Sequence, residues 1–184
     1  MTAMNPSRRN RLPWLLVISA IVILLDRLTK DWVRTHIELG HGIPILPGIL
    51  RITHVFNDGA AFSLFADSAT PQRVRWALVS FSLAAAIAIF AVLVRLGHRF
   101  TLTTIALALI LGGALGNVYD RMRYASVVDF IEVHIVRYHW PDFNLADSAI
   151  VVGACLLFLD TLLPEKPLSQ AETQQDADHP SATA

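Results

Sequence analysis

One cysteine, Cys155, is present among 184 residues, so no disulfide can form within the chain. It falls in a strongly apolar stretch and is expected to pack as a small hydrophobe, not to act as a nucleophile. Net charge is equally scarce: 15 basic residues balance 15 acidic ones, which offers neither a nucleic-acid footprint nor a groove for acidic substrates. The familiar catalytic kits are missing too. There is no His-Glu-x-x-His, no Cys-x-x-Cys, no Gly-x-Ser-x-Gly and no glycine-rich phosphate loop. The seven histidines, His134 and His139 among them, lack helical ligand spacing and read as interfacial or solvated. Ser63, Ser126 and Ser148 have no identifiable base nearby, and no metal or cofactor is expected. The absence of an internal repeat removes support for an inverted-repeat transporter.

What the chain has in abundance is apolar length. With 54% hydrophobic residues, 16% charged and a mean hydropathy of +0.49, it is too apolar for an ordinary soluble domain of its size. Residues 76 to 94 and 100 to 119 each run without a charge for roughly the 20 residues that a helix needs to cross a bilayer. A first span near 12 to 33 is interrupted by Asp26, Arg27 and Lys30, and a last one near 146 to 163 carries Asp160 close to its end. These runs are continuous and not alternating, so four helices is the economical count. Asp26-Arg27-Leu28-Thr29-Lys30 follows the first apolar run with no small-residue cleavage site, so that run is read as an uncleaved span.

An even number of spans puts both termini on one side. Arg8, Arg9 and Arg11 precede the first span, and Arg95 and Arg99 crowd the short link between the second and third, which assigns those faces to the cytoplasm. Arg34, Arg51, Arg73, Arg75, Arg121, Arg123 and Arg137 then lie outside. Between the first two spans, Ile43-Pro44-Ile45-Leu46-Pro47-Gly48 breaks any helix, Leu50 to Phe56 alternates imperfectly, and Asn57-Asp58-Gly59 supplies a turn. A small extended platform resting on the bilayer or the helices is expected there. Its glycines, 40, 42, 48 and 59, suggest a mobile lid.

Two aspartates are the best candidates for chemistry: Asp129 in Val127-Val128-Asp129-Phe130-Ile131 and Asp147 in Phe143-Asn144-Leu145-Ala146-Asp147-Ser148. Considered singly, Asp129 reads as a surface ion pair and Asp147 as a helix N-cap, a task Asn144 could equally perform. Their shared location at the outer face points instead to two carboxylates dividing one proton, one acting as acid and the other as base. Asp26 and Lys30, four apart on a helix, read either as a structural ion pair or as part of the site. Gly112 and Gly116 at four-residue spacing allow close helix approach, with Asp120 one turn further on the same face. Arg121 has Asp120 or a more distant carboxylate as possible partners.

The blocks Asp26-x-x-x-Lys30, Asn57-Asp58-Gly59-Ala60-Ala61-Phe62-Ser63, Gly112-Gly113-Ala114-Leu115-Gly116-Asn117-Val118-Tyr119-Asp120-Arg121, Val128-Asp129-Phe130 and Phe143-Asn144-Leu145-Ala146-Asp147, in that order, resemble the lipoprotein signal peptidases, the type II signal peptidases of bacteria. The resemblance spans roughly residues 12 to 163. It implies an all-α membrane protein, a four-transmembrane-helix bundle with a small extended or β platform on the periplasmic side. The chain is then organised as a cytoplasmic segment at 1–11, a membrane peptidase domain at 12–163 and a disordered cytoplasmic tail at 164–184. By position, Asp129 and Asp147 match the family's two catalytic aspartates. Asn57, Gly59, Asn117, Asp120, Arg121, Asn144 and Ala146 fall in the blocks that line or brace its site, and Asp26 and Lys30 in the block on the first helix. The implied activity is that of an aspartic endopeptidase of the bacterial inner membrane, working without metal or cofactor and with its site toward the periplasm. Its substrate is a prolipoprotein, cut on the amino side of a diacylglyceryl-modified cysteine. Membrane lipid and substrate are the implied partners, nucleic acid is not, and a monomer is expected.

Two readings from other classes stay open at this level. A proton-coupled transporter would use Asp26, Asp120, Asp129 and Asp147 as an ion path. A non-catalytic assembly subunit would use the outer platform to bind a partner and would tolerate Asp-to-Asn changes.

Overall fold

The computed structural model describes residues 10–59, 71–136 and 138–163. Arg8, Arg9, Arg137, the Ala60–Ser63 end of the second block and the 164–184 tail lie outside the described residues. Among the described residues, eight elements follow in chain order: α1 (Leu12–His36), β1 (Gly42–Leu46), β2 (Leu50–Asn57), α2 (Pro71–Leu96), α3 (Leu102–Tyr124), β3 (Val127–Ile135), β4 (Tyr138–Phe143) and α4 (Leu145–Leu162). All four helices are long and apolar enough to cross a membrane. The outer faces of α1, α2 and α4 are covered with exposed apolar side chains, including Leu24, Phe81, Ile87, Val151 and Phe158, a surface suited to lipid and not to water. Cys155 sits on that outer surface, so the expectation that it is packed inside is corrected.

Helix α3 is the hub, packing against α1, α2 and α4. Its glycines make this possible. A Cβ at Gly112 would stand 2.8 Å from the Ser19 carbonyl oxygen on α1, one at Gly113 would collide with the Ala146 carbonyl oxygen on α4, and one at Gly116 would lie 2.9 Å from Asp26 Oδ2. The Gly112/Gly116 reading from spacing therefore holds, and Gly113 does the same for α4. Gly153 answers from α4, where a Cβ would stand 2.7 Å from the Ala106 carbonyl oxygen. The start of α3 is fixed by a reciprocal capping box between Thr101 and Thr104.

At one end of the bundle the four strands form a single antiparallel sheet in the order β1-β2-β3-β4. The platform expected from residues 43 to 59 is the first hairpin of this sheet, and the second hairpin, β3–β4, completes it. Helix α3 ends in a left-handed turn at Ala125 (φ 69°), which turns the chain straight into β3. On one face of β3, Val128 and Phe130 bury themselves against Val33 and Ile37 at the end of α1. Side chains alternate along a strand, so Asp129 between them faces the other way.

Candidate active site

Two side chains brought together from distant parts of the chain organise the site. Asp129 comes from β3 and is 2% exposed. Asp147 comes from the first turn of α4. Both line one cavity of about 610 Å³, together with Asn57, Asn117, Arg121, Trp140, Phe143 and the α4 residues Ile150, Val151 and Val152. One wall is polar and the other apolar.

Asn144 joins the two carboxylates. Its Nδ2 donates to Asp129 Oδ1 at 2.7 Å, its Oδ1 accepts from the Asp147 backbone N–H at 2.9 Å, and its own N–H donates to Asp147 Oδ2 at 3.3 Å. This is a capping box in which Asn144 is the N-cap and Asp147 the third helical residue. The N-cap reading of Asp147 is thus corrected: Asn144 has that place. The surface ion-pair reading of Asp129 fails as well, since the residue is buried and its partners are amides.

Each carboxylate has a second amide. Asn57 Nδ2 donates to Asp129 Oδ2 at 2.9 Å, while Asn57 Oδ1 accepts from the Gly59 N–H at 3.0 Å. Asn117 Nδ2 donates to Asp147 Oδ1 at 2.8 Å. The orientation of Asn117 is not free, because its Oδ1 accepts from Lys30 Nζ at 3.2 Å and from Asn144 Nδ2 at 3.3 Å. Burial, and then the neighbouring Asp147 charge, push the Asp129 carboxyl up to about 7, against the pull of the Asn57 and Asn144 hydrogen bonds and of Lys30. A carboxyl in that position exchanges its proton near neutrality.

Beneath the cavity lies a buried ionic layer. Lys30 Nζ is 2.8 Å from both Asp26 Oδ2 and Asp120 Oδ2, and all three side chains are fully buried. Asp120 also pairs with Arg27, whose guanidinium lies over the Tyr119 ring. Asp26 Oδ1 accepts from the Ala146 N–H at 3.1 Å, which ties the start of α4 to α1, and Ala146 itself packs fully buried against Gly116. Asp26, Lys30, Asp120 and Ala146 therefore lie behind the site, and neither Asp26 nor Asp120 faces the 610 Å³ cavity. Arg121 does not pair with Asp120. It faces the cavity and donates to the Gly59 carbonyl at 3.2 Å.

Sequence reasoning missed Arg27, although it stands three residues from Lys30 on a helix and so reaches the same acidic neighbour. It also missed the β4 lining residues Trp140 and Phe143, whose signal was the β-rich run from Tyr138 to Phe143 beside Asn144.

The family model described as signal peptidase (SPase) II matches residues 18–163. The chain belongs to the signal peptidase II family. It is similar to the lipoprotein signal peptidase of Pseudomonas aeruginosa strain UCBPP-PA14, with 46% identity over 86% of this chain and 93% of that one. It is also similar to that of Ectopseudomonas mendocina, with 42% identity over 90% and 96%, and to that of Burkholderia mallei, with 47% over 82% and 87%. Among solved structures, a bacterial membrane enzyme determined by the in meso method at 2.3 Å superposes with a TM-score of 0.68 at 28% identity, covering 85% of this chain and 95% of that one. With four apolar helices, this signal peptidase II homologue is a multi-pass bacterial membrane protein.

Proposed function

We propose that this member of the signal peptidase II family, which removes signal peptides from prolipoproteins, does so as an aspartic endopeptidase with Asp129 and Asp147 as its catalytic pair. The observation that carries the reading is Asn144 holding both carboxylates at the wall of one cavity while Asp129 keeps its proton up to about 7. The proton then resides on Asp129 and Asp147 is the base. Asp147 takes a proton from a bound water as its oxygen attacks the scissile carbonyl carbon, and Asp129 donates its proton to the carbonyl oxygen. Collapse of the tetrahedral intermediate breaks the C–N bond: Asp147 hands its proton to the leaving nitrogen and Asp129 recovers one from the hydroxyl. Water and amide become acid and amine, and both carboxyl groups return to their starting states.

The surrounding residues position this pair. Asn57 and Asn117 orient the outer oxygens of the two carboxyls, and the Asp26–Lys30–Asp120 layer fixes Asn117 and the start of α4 from behind. Arg121, held by the Gly59 carbonyl, offers its remaining N–H donors to the peptide backbone in the cavity. Val151 and Val152 make the apolar wall and are more than half exposed on α4, so the cavity is continuous with the lipid-facing surface. A diacylglyceryl-modified cysteine fits that geometry: its acyl chains stay in lipid while the bond on its amino side reaches the aspartates. Arg11 before α1 and Arg95 and Arg99 at the α2–α3 link support a cytoplasmic side for the opposite end of the bundle, and with it a periplasmic side for the sheet and site. On this reading the chain acts as a monomer, and residues 12–163 form its peptidase domain.

The test is cleavage by the purified chain in lipid of a precursor with and without the diacylglyceryl group, read by mass spectrometry. A cut on the amino side of the modified cysteine is expected, with little turnover of the unmodified precursor. Equal cutting of both, or a cut elsewhere, overturns the reading.

A further inference from the structure

The β3–β4 hairpin gathers three side chains that the proteolytic site does not use. His134 and His139 are cross-strand partners, and Glu132 stands two residues before His134 on the same face of β3. Their rings stack with centroids 5.0 Å apart. Both imidazoles aim Nε2 at a single carboxylate oxygen, Glu132 Oε1, at 2.9 Å for His134 and 3.4 Å for His139. One ligand atom from each of the three lies within 4.8 Å of the others.

Asp142 closes the fourth side. The register slips between Ile131 and Val133, where two residues of β4, Pro141 and Asp142, oppose one of β3, Glu132, and the bulge turns Asp142 onto the face of His139. Its Oδ1 stands 3.8 Å from His139 Nε2 and is buried without a hydrogen-bond partner. Behind the cluster, Arg51 Nη1 lies 3.0 Å from the other Glu132 oxygen, so the carboxylate is oriented with Oε1 toward the imidazoles.

We propose that Glu132, His134 and His139, with Asp142 completing the set, bind a divalent transition-metal ion of the Zn²⁺ class. Ligand atoms around tetrahedral zinc stand roughly 3.3 Å apart, from bonds of about 2.0–2.1 Å, so the 2.9 and 3.4 Å separations need little adjustment. Two imidazoles and carboxylate oxygens suit zinc, cobalt, nickel or copper and disfavour magnesium and calcium, which take oxygen ligands. Two acidic ligands against Arg51 leave a net negative site for the cation. The ion would not touch the reacting bond. It would fasten β4, whose His139 and Asp142 also border a smaller cavity of about 280 Å³ shared with Asn57 and Asp129. The proposal stands apart from the proteolytic reading, because it concerns binding alone.

The test uses the full chain in detergent, stripped with chelator and titrated with Co²⁺ while tetrahedral ligand-field bands are followed, then with Zn²⁺ in competition. A single ion per chain is expected, with affinity reduced at least about tenfold by His134→Ala or by His139→Ala. His41→Ala and His98→Ala should leave it unchanged. Because His134 and His139 are partly exposed, these variants are expected to fold, which thermal unfolding in chelator checks, and His139→Gln supplies a milder second version. Absence of the bands at millimolar Co²⁺ overturns the proposal. So does binding that survives the His134→Ala/His139→Ala double change or depends on His41 or His98.

Discussion

Replacing Asn57 by alanine should move the alkaline edge of the pH–rate profile upward. In the native chain Asp129 releases its proton at about 7, so activity that needs that proton declines as pH passes that value. Asn57 Nδ2 donates to Asp129 Oδ2 at 2.9 Å, an interaction that favours the ionised form and holds the value down. Its removal leaves the ionised form less stable, so the proton is kept to higher pH. A hydrogen bond to a charged group contributes about 1.5–3 kcal/mol, equivalent to about one to two pH units. Water entering the space vacated offsets part of this, which leaves an expected shift of about one unit. The assay is kcat/KM for a fluorogenic diacylglyceryl peptide in lipid, measured across the neutral and alkaline range. The height of the profile will also fall, but a purely structural loss would lower it without moving its edge. An edge that stays in place, or moves to lower pH, refutes the assignment of Asp129 as the acid.

Lys30→Met leaves Asp26 and Asp120 buried with too little positive charge, which should destabilise the chain by about 3–5 kcal/mol, read as a lowered midpoint of thermal unfolding in detergent. Asp129→Asn should have the opposite effect above neutrality. A carboxyl whose folded value is raised from 3.8 to about 7 contributes its full stability below the unfolded value and loses it as pH climbs through that window. The amide carries no such penalty, so the variant should unfold at a higher temperature than the native chain at alkaline pH, with the difference vanishing toward pH 4. An unfolding midpoint for Asp129→Asn that tracks the native one at every pH would contradict the burial argument.

The helices were readable because hydrocarbon imposes a length, and Leu12–His36, Pro71–Leu96, Leu102–Tyr124 and Leu145–Leu162 each meet it with apolar residues. The Gly112/Gly116 contact was equally legible, since spacing on a helix is a local property. The sheet was half seen. Its first hairpin has turn residues on both sides, whereas β3 follows α3 so closely that Val127-Val128-Asp129-Phe130-Ile131 reads as a loose apolar run. The β-branched positions and the alternation of Glu132 and His134 with Val133 and Ile135 were the signal for a strand. Missing it also hid the histidine cluster: His134 and His139 lack helical spacing, but an antiparallel pair places them opposite each other. The two aspartates could be chosen from their surroundings, yet the role of Asn144 could not, because a residue that caps a helix and also donates to a carboxylate on another element looks like a cap alone. Arg121 was left with two possible partners for a related reason: adjacency in sequence suggested Asp120 as readily as a more distant carboxylate, while one step along a helix turns a side chain by about 100° and aims it into the cavity.

Asn substitutions at the two acids test the catalytic pair most directly. Asp129→Asn and Asp147→Asn should each insert, fold and bind a diacylglyceryl precursor, yet lose at least about 100-fold in single-turnover cleavage, the loss typical of a missing proton-transfer group. Cleavage within a few-fold of the native rate in either folded variant would contradict a shared-proton mechanism and return that aspartate to a structural role.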